Sequence, residues 1–160
     1  MDKRSRSDAA LRWHEADVLE RAGRLFVSSS LNAHPLTVMV FFCEVALDGG
    51  DENLGAAVGA ALTANRWVDD LSREEIKRVE DESLRAVGVK NFSQLTRGAK
   101  LVGVSRRGAV HSVRPLVRKG SSFVNPEYAG VTLATTEFEL REPSMAELGR
   151  TVREALALAR

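Results

Sequence analysis

Three histidines, His14, His34 and His111, are the residues of this chain best suited to proton transfer or metal binding. They stand far apart, with no HExxH or comparable ligand spacing, so each reads as a solvated or singly hydrogen-bonded imidazole. Ser28, Ser29 and Ser30, like Ser121 and Ser122, lack the GxSxG context of a nucleophile elbow. Cys43 is the single cysteine. It excludes an internal disulfide or a CxxC metal knuckle, and within its apolar run it reads as a buried small hydrophobe. The stretch "LDGGDEN" lacks the EF-hand spacing and reads as a strand-to-helix turn. There Gly49 and Gly50 give backbone freedom, and Asp51 and Glu52 suit a helix N-terminus. No Gly-rich phosphate loop is present. The expectation is a protein that is not an enzyme, with no catalytic residues, no metal and no cofactor.

The elements that would position any site follow from composition and pattern. With 160 residues, 44% hydrophobic and 28% charged, the chain matches one globular domain with one core. A net charge of +1 creates no strong overall attraction to nucleic acid or membranes. The basic start "MDKRSRSD" is followed by no apolar h-region, and the longest apolar stretch, Val38 to Cys43, is too short to span a bilayer. A soluble, reduced, cytoplasmic protein is expected, with a flexible tail over residues 1–14 and a single domain over 15–160.

"EADVLERAGRLFVSSS" contains helix formers, yet "RAG" before Leu25 to Val27 favours a hairpin with strands near 16–20 and 24–29. Leu36 to Leu47 is apolar, β-branched and aromatic between Pro35 and "DGGD". Its near-continuous apolarity predicts a central strand covered on both faces. Glu44 within it is expected to face an edge or water, or to pair with an arginine. Ser72 and Glu75 make a capping box, Leu71 and Ile76 a hydrophobic staple. Ile76, Val79, Ser83 and Val87 form the inner stripe of that helix, and Gly88 its stop. "KLVGVSRRGAVHSVRPLVRKG" predicts a hairpin turning at "RRG", with Pro115 at an edge or bulge. Val131 to Leu140 predicts the last strand.

One helix is written twice. "NLGAAVGAALTANR" (residues 53–66) and "ELGRTVREALALAR" (147–160) share Leu, Gly, Val, Ala, Leu and Arg at the same offsets. Leu54, Ala57, Val58, Ala61 and Leu62 follow the spacing of an amphipathic helix, as do Leu148, Thr151, Val152, Ala155 and Leu156. Asn53 is the expected N-cap of the first copy, and Ser144 with Glu147 the capping box of the second. Gly55, Ala56, Gly59 and Ala60 leave a bare side on which a neighbour can approach closely. Strands in runs, rather than in strict alternation with helices, predict an α+β fold: a mainly antiparallel sheet covered by about three helices. The two copies would both pack on that sheet.

Charge is segregated. Residues 67–85 hold seven acids and four bases, a net of −3; residues 100–119 hold six bases and no acid. Two unlike faces suit a charged partner. A nucleic acid on the 100–119 hairpin is the alternative, weakened by the lack of interleaved aromatics.

"LGAAVGAAL" after a strand and a Gly-Asp turn, "FSQLTRGAKLVGVSRRGAVHSVRP" and "SMAELGRTVREALALAR" together resemble the immunity proteins of bacterial contact-dependent growth inhibition (CDI) systems. The resemblance covers roughly Ala16 to Arg160. It implies a cytoplasmic, non-enzymatic binding protein that neutralises the C-terminal toxin domain of its cognate CdiA, often a nuclease, by blocking or distorting its active site. No nucleic-acid or membrane partner is implied, and a monomer is the default. No functional residue carries over, because partner-contacting surfaces differ among members. Charge complementarity to a nuclease cleft instead nominates Asp69, Asp70, Glu74 and Asp81, with Arg106 and Arg107 of the basic hairpin as the second toxin-binding candidates.

Overall fold

The computed structural model describes residues 13–160. Of the expected N-terminal tail, residues 1–12 lie outside the described residues, and His14 opens the first strand. The strands are β1 (His14–Arg21), β2 (Arg24–Ala33), β3 (Leu36–Val45), β4 (Arg66–Trp67), β5 (Ala99–Arg107), β6 (Val110–Pro115), β7 (Val117–Lys119), β8 (Ser122–Val124) and β9 (Phe138–Arg141). The α-helices are α1 (Asp51–Ala64), α2 (Arg73–Val87), the short α3 (Phe92–Thr96) and α4 (Met145–Leu158). The main sheet runs β3-β2-β1-β5-β6-β9, with β4 added beside β2. Every pair in it is antiparallel except β2 with β4. The architecture is α+β in one domain, as expected.

The β1–β2 turn is a two-residue hairpin in which Ala22 and Gly23 both take positive φ, the geometry that matches strand twist. The predicted central strand is elsewhere. β3 stands at the edge of the sheet, and the fully lined strand is β2, buried from Leu25 to Ala33. A β-bulge explains why β3 misleads. Val27 pairs with Cys43 and Ser28 with Phe41, so Phe42 is the extra residue. The bulge reverses the alternation: Met39 and Phe41 join a cluster on one face, Cys43 and Val45 the cluster on the other. Apolar residues on both faces then read as a continuous run. Cys43 is partly buried, and Glu44 pairs with Arg24 at 2.7 Å on the surface.

The exposed edge of β3 is closed by α2. Ser83 accepts a hydrogen bond from the Phe41 amide (3.1 Å) and donates to the Met39 carbonyl (3.2 Å). A serine in the apolar stripe of α2 therefore substitutes for a missing strand. The helix begins with the expected Ser72–Glu75 capping box and stops at left-handed Gly88.

α1 and α4, the repeated helices, cover one sheet face. Leu54, Val58, Ala61 and Leu62 meet Leu148, Val152, Ala155 and Leu156 over Val18, Val27, Val102 and Val113. They also pack on each other through the repeated glycines. A Cβ on Gly55 would lie 1.7 Å from the Met145 carbonyl oxygen, and one on Gly149 1.8 Å from that of Asp51. Asp51 and Met145 are themselves equivalent positions of the repeat, so the crossing is pseudo-symmetric. Two expectations at the ends of these elements are corrected. The N-cap of α1 is Gly50, and Asn53 instead donates its side chain to the Gly49 carbonyl (2.6 Å). Val131 to Thr136 is irregular and only Phe138–Arg141 forms a strand, because the antiparallel register sets the residues before Phe138 opposite Arg114 and Pro115, where β6 ends. Pro115 ends β6 past the reach of β9, which pairs only with Val110–Val113, so its missing donor is not needed there.

Candidate functional site

The residues nominated from charge fall into separate places. Asp69 and Asp70 lie exposed in the loop between β4 and α2, where Asp70 accepts from the Leu71 amide at 2.8 Å. Glu74 and Asp81 are exposed on α2, and Asp81 pairs with Lys77 at 2.5 Å. A shallow hollow along this helix is lined by Glu74, Asp81 and Glu82 and by Lys77, Arg78 and Arg85. Three acids against three bases make it electrically balanced. Arg106 and Arg107 end β5, and the Arg107 guanidinium stacks 5.7 Å from the centre of the exposed Trp13 ring. Neither arginine pairs with the four acids.

The basic run 100–119 does not form one face. Arg114 pairs with Glu137 (3.1 Å), Arg118 donates to the Gly120 carbonyl (2.9 Å) and Lys119 to that of Tyr128 (2.8 Å). Lys100 stands opposite Glu20 at the far end of β5 from Arg106. Engaged and dispersed cations make a poor track for a phosphate backbone.

Two histidines that are distant in sequence are brought into line. His14 stands opposite Arg106, and Arg106 opposite His111, across β1, β5 and β6. His14 Nδ1 donates to the Leu62 carbonyl (3.0 Å), which ties β1 to the end of α1. His111 is half-buried, and its Nδ1 has no hydrogen-bond partner among the described residues. Burial first, then the Arg106 charge, holds its pKa below the usual imidazole range, while the Ala109 backbone pulls the other way without reaching bonding geometry. His34 is exposed in the β2–β3 turn. Among the described residues no three His, Cys, Asp or Glu side chains could share a metal ion.

The serine cluster serves the scaffold. Ser29 donates to the Ala61 carbonyl (2.7 Å). Beside it, Asn32 donates to Asn65 Oδ1 (3.2 Å), and Asn65 in turn to the Ser30 and Glu15 carbonyls (3.2 and 3.3 Å). Buried amides satisfied in this way fix where α1 ends.

A second unpaired group lies on the sheet face opposite α1 and α4. Ala16 and Val18 point into the helix-covered core, so alternation turns Asp17 the other way. Asp17 stands opposite Gly103, and the absence of a side chain there leaves space above it. A cavity of about 210 Å³ opens at this point, lined by Glu15, Asp17, Ser30, Ser105, Arg114 and Asn125 among others. Among the described residues nothing hydrogen-bonds or pairs with the Asp17 carboxyl. Burial, and then the neighbouring Glu15 charge, push its pKa up to about 7. Across the cavity Arg114 is held by Glu137, which also accepts from Ser112. Hydrogen bonding from Ser112 and then from Arg114 keeps the Glu137 carboxyl below its usual range. Charge counting along the sequence overlooked this site. Its signal was an acid at a strand position, Asp17, two residues before the buried Leu19 on the same face.

No protein-family model matches the chain, and no curated protein matches it by sequence. Solved structures do match in fold. A chain of the CdiA-CT/CdiI toxin and immunity complex from Yersinia pseudotuberculosis superposes with a TM-score of 0.72 and 17% identity. The match covers 93% of this chain and 98% of that one. A protein of unknown function from Neisseria meningitidis superposes with a TM-score of 0.69 and 17% identity, over 94% of this chain and 97% of that one. At such identity the likeness is one of fold: the same α+β architecture along nearly the whole of each chain.

Proposed function

We propose that this chain is an immunity protein of a contact-dependent growth inhibition system. It binds the C-terminal toxin domain of a cognate CdiA, a nuclease, and blocks the toxin's active site from the cytoplasm of the cell it protects. It acts as a binding protein, without turnover of its own. The observation that carries this reading is the fold shared from end to end with a chain of a toxin and immunity complex. The two Leu-Gly helices add to it, since the sequence resemblance to such immunity proteins rests on the elements that build this core. The dispersal of the basic run removes the main support for a nucleic-acid-binding alternative.

The test uses the toxin domain encoded beside this gene. Purified toxin nuclease activity is measured against increasing amounts of this protein, and loss of activity is expected to saturate at equimolar ratio. The complex is expected to persist in moderate salt, where nonspecific nucleic-acid binding collapses. Full toxin activity in a large excess of this protein would end the immunity reading.

A further inference from the structure

The cavity over Asp17 is unusual for what it leaves undone. A carboxyl taken partly out of water is ordinarily paired or hydrogen-bonded, because an isolated buried charge is costly. Asp17 has no such partner among the described residues, although Arg114 also lines the cavity. Arg114 instead pairs with Glu137 at 3.1 Å on the exposed side of the cavity. Two acids, Glu15 and Asp17, therefore face about 210 Å³ of open space lined by the hydroxyl side chains of Ser30, Ser105 and Thr37. Such a volume admits one long side chain with a charged head. Among the described residues no third His, Cys, Asp or Glu joins Glu15 and Asp17 in a set that could hold a metal ion. Resting on the immunity reading above, we infer that this cavity receives a lysine or arginine side chain of the toxin domain, whose cationic head pairs with Asp17. A nuclease must present cations to phosphate, so a cation in an anionic socket removes a group of the kind its substrate needs.

Protonation makes this pairing pH-dependent. The groups facing Asp17 are Glu15 on β1 and Arg114 on β6 with its partner Glu137; β2, β3, β5 and Asn125 contribute only uncharged groups. With the carboxyl half-ionised near pH 7, the ionised fraction rises about tenfold between pH 6 and pH 8, and apparent affinity follows that fraction.

The experiment measures toxin dissociation constants for the parent protein, Asp17→Asn and Glu15→Gln at pH 6 and pH 8, with thermal unfolding of each. The parent is expected to bind roughly tenfold more tightly at pH 8. Asp17→Asn should fold, bind at least tenfold more weakly at pH 8, and lose the pH dependence. Glu15→Gln should show a smaller loss. A toxin affinity for Asp17→Asn equal to the parent's at both pH values overturns the socket, while inhibition by both proteins leaves the immunity reading intact. If the parent binds no toxin, the immunity reading fails. Nα-acetyl-arginine amide, titrated at pH 8 against the Gly103 amide resonance, then decides the socket alone. A saturable shift lost in Asp17→Asn supports it, and no shift overturns it.

Discussion

Where α1 crosses α4, each helix presents a glycine to the other's first-turn backbone, and the stripes beneath are fully buried. Across the sheet, Asp17 on β1 faces a cavity and has no partner among the described residues. The two regions share the strands β1 and β5, so their difference is one of face and not of location. The helix-covered face is closely packed, and His111 Nδ1 at its margin is the buried side-chain atom left without a partner among the described residues. The opposite face keeps an ionisable group in a setting that opposes its charge. Packing at the first face contributes stability, and the second is the face on which we propose binding.

Breaking the crossing should have the largest effect. Gly149→Ala or Gly55→Ala places a methyl within 2 Å of a carbonyl oxygen on the facing helix, so the helices must separate. A loss of about 3 kcal/mol or more is expected from chemical denaturation. Parental stability in both variants would show that the helices do not meet through these residues.

Leu62→Ala and Leu156→Ala probe the stripes beneath the crossing. Each removes a fully or almost fully buried leucine and should cost about 2–5 kcal/mol, the cost growing with the cavity left behind. Similar losses at these equivalent positions would show that the two copies of the repeat bear comparable shares of the core.

Asp17→Asn tests the other face, with the opposite sign. The folded carboxyl titrates at about 7, above the ordinary carboxyl range, so the folded state holds this proton more tightly than the unfolded chain. The contribution of Asp17 to stability is full below the unfolded pKa and is lost as pH rises through 7. Removing the charge should therefore raise stability at pH 8, with little change at pH 4. The displacement of the carboxyl sets a ceiling of about 4 kcal/mol, and its partial exposure brings the expected gain to about 1–3 kcal/mol. Unfolding curves at the two pH values check this. A variant less stable than the parent at pH 8 would mean that the carboxylate has a partner there and that the two faces are alike.

Ser83→Ala gives the smallest change. It removes the side chain that joins α2 to the open edge of β3, and about 1 kcal/mol is expected. Faster hydrogen exchange at the Phe41 amide would localise the loss to that edge.

Local chemistry made several elements readable in the chain itself. The "RAG" turn, the Ser72–Glu75 box, the Gly88 stop and the helical spacing of both repeat copies each depend on a few neighbouring residues, so they survive without knowledge of the fold. The repeat also announced a bare, glycine-bearing side, though not what would lie against it. Tertiary structure alone decided the rest. The bulge at Phe42 turned an edge strand into a run that resembles a buried one, because alternation carries information only while register is unbroken. The alignment of His14, Arg106 and His111 depends on pairing between three strands, and that pairing is set by the core. Asp17 shows the same limit most plainly. Its type and its place in a strand are visible in "HEADVLER", but a pKa shift comes from what surrounds a carboxyl. Those surroundings, Gly103, Ser105, Arg114 and Asn125, arrive from residues far along the chain once the sheet closes over its helices.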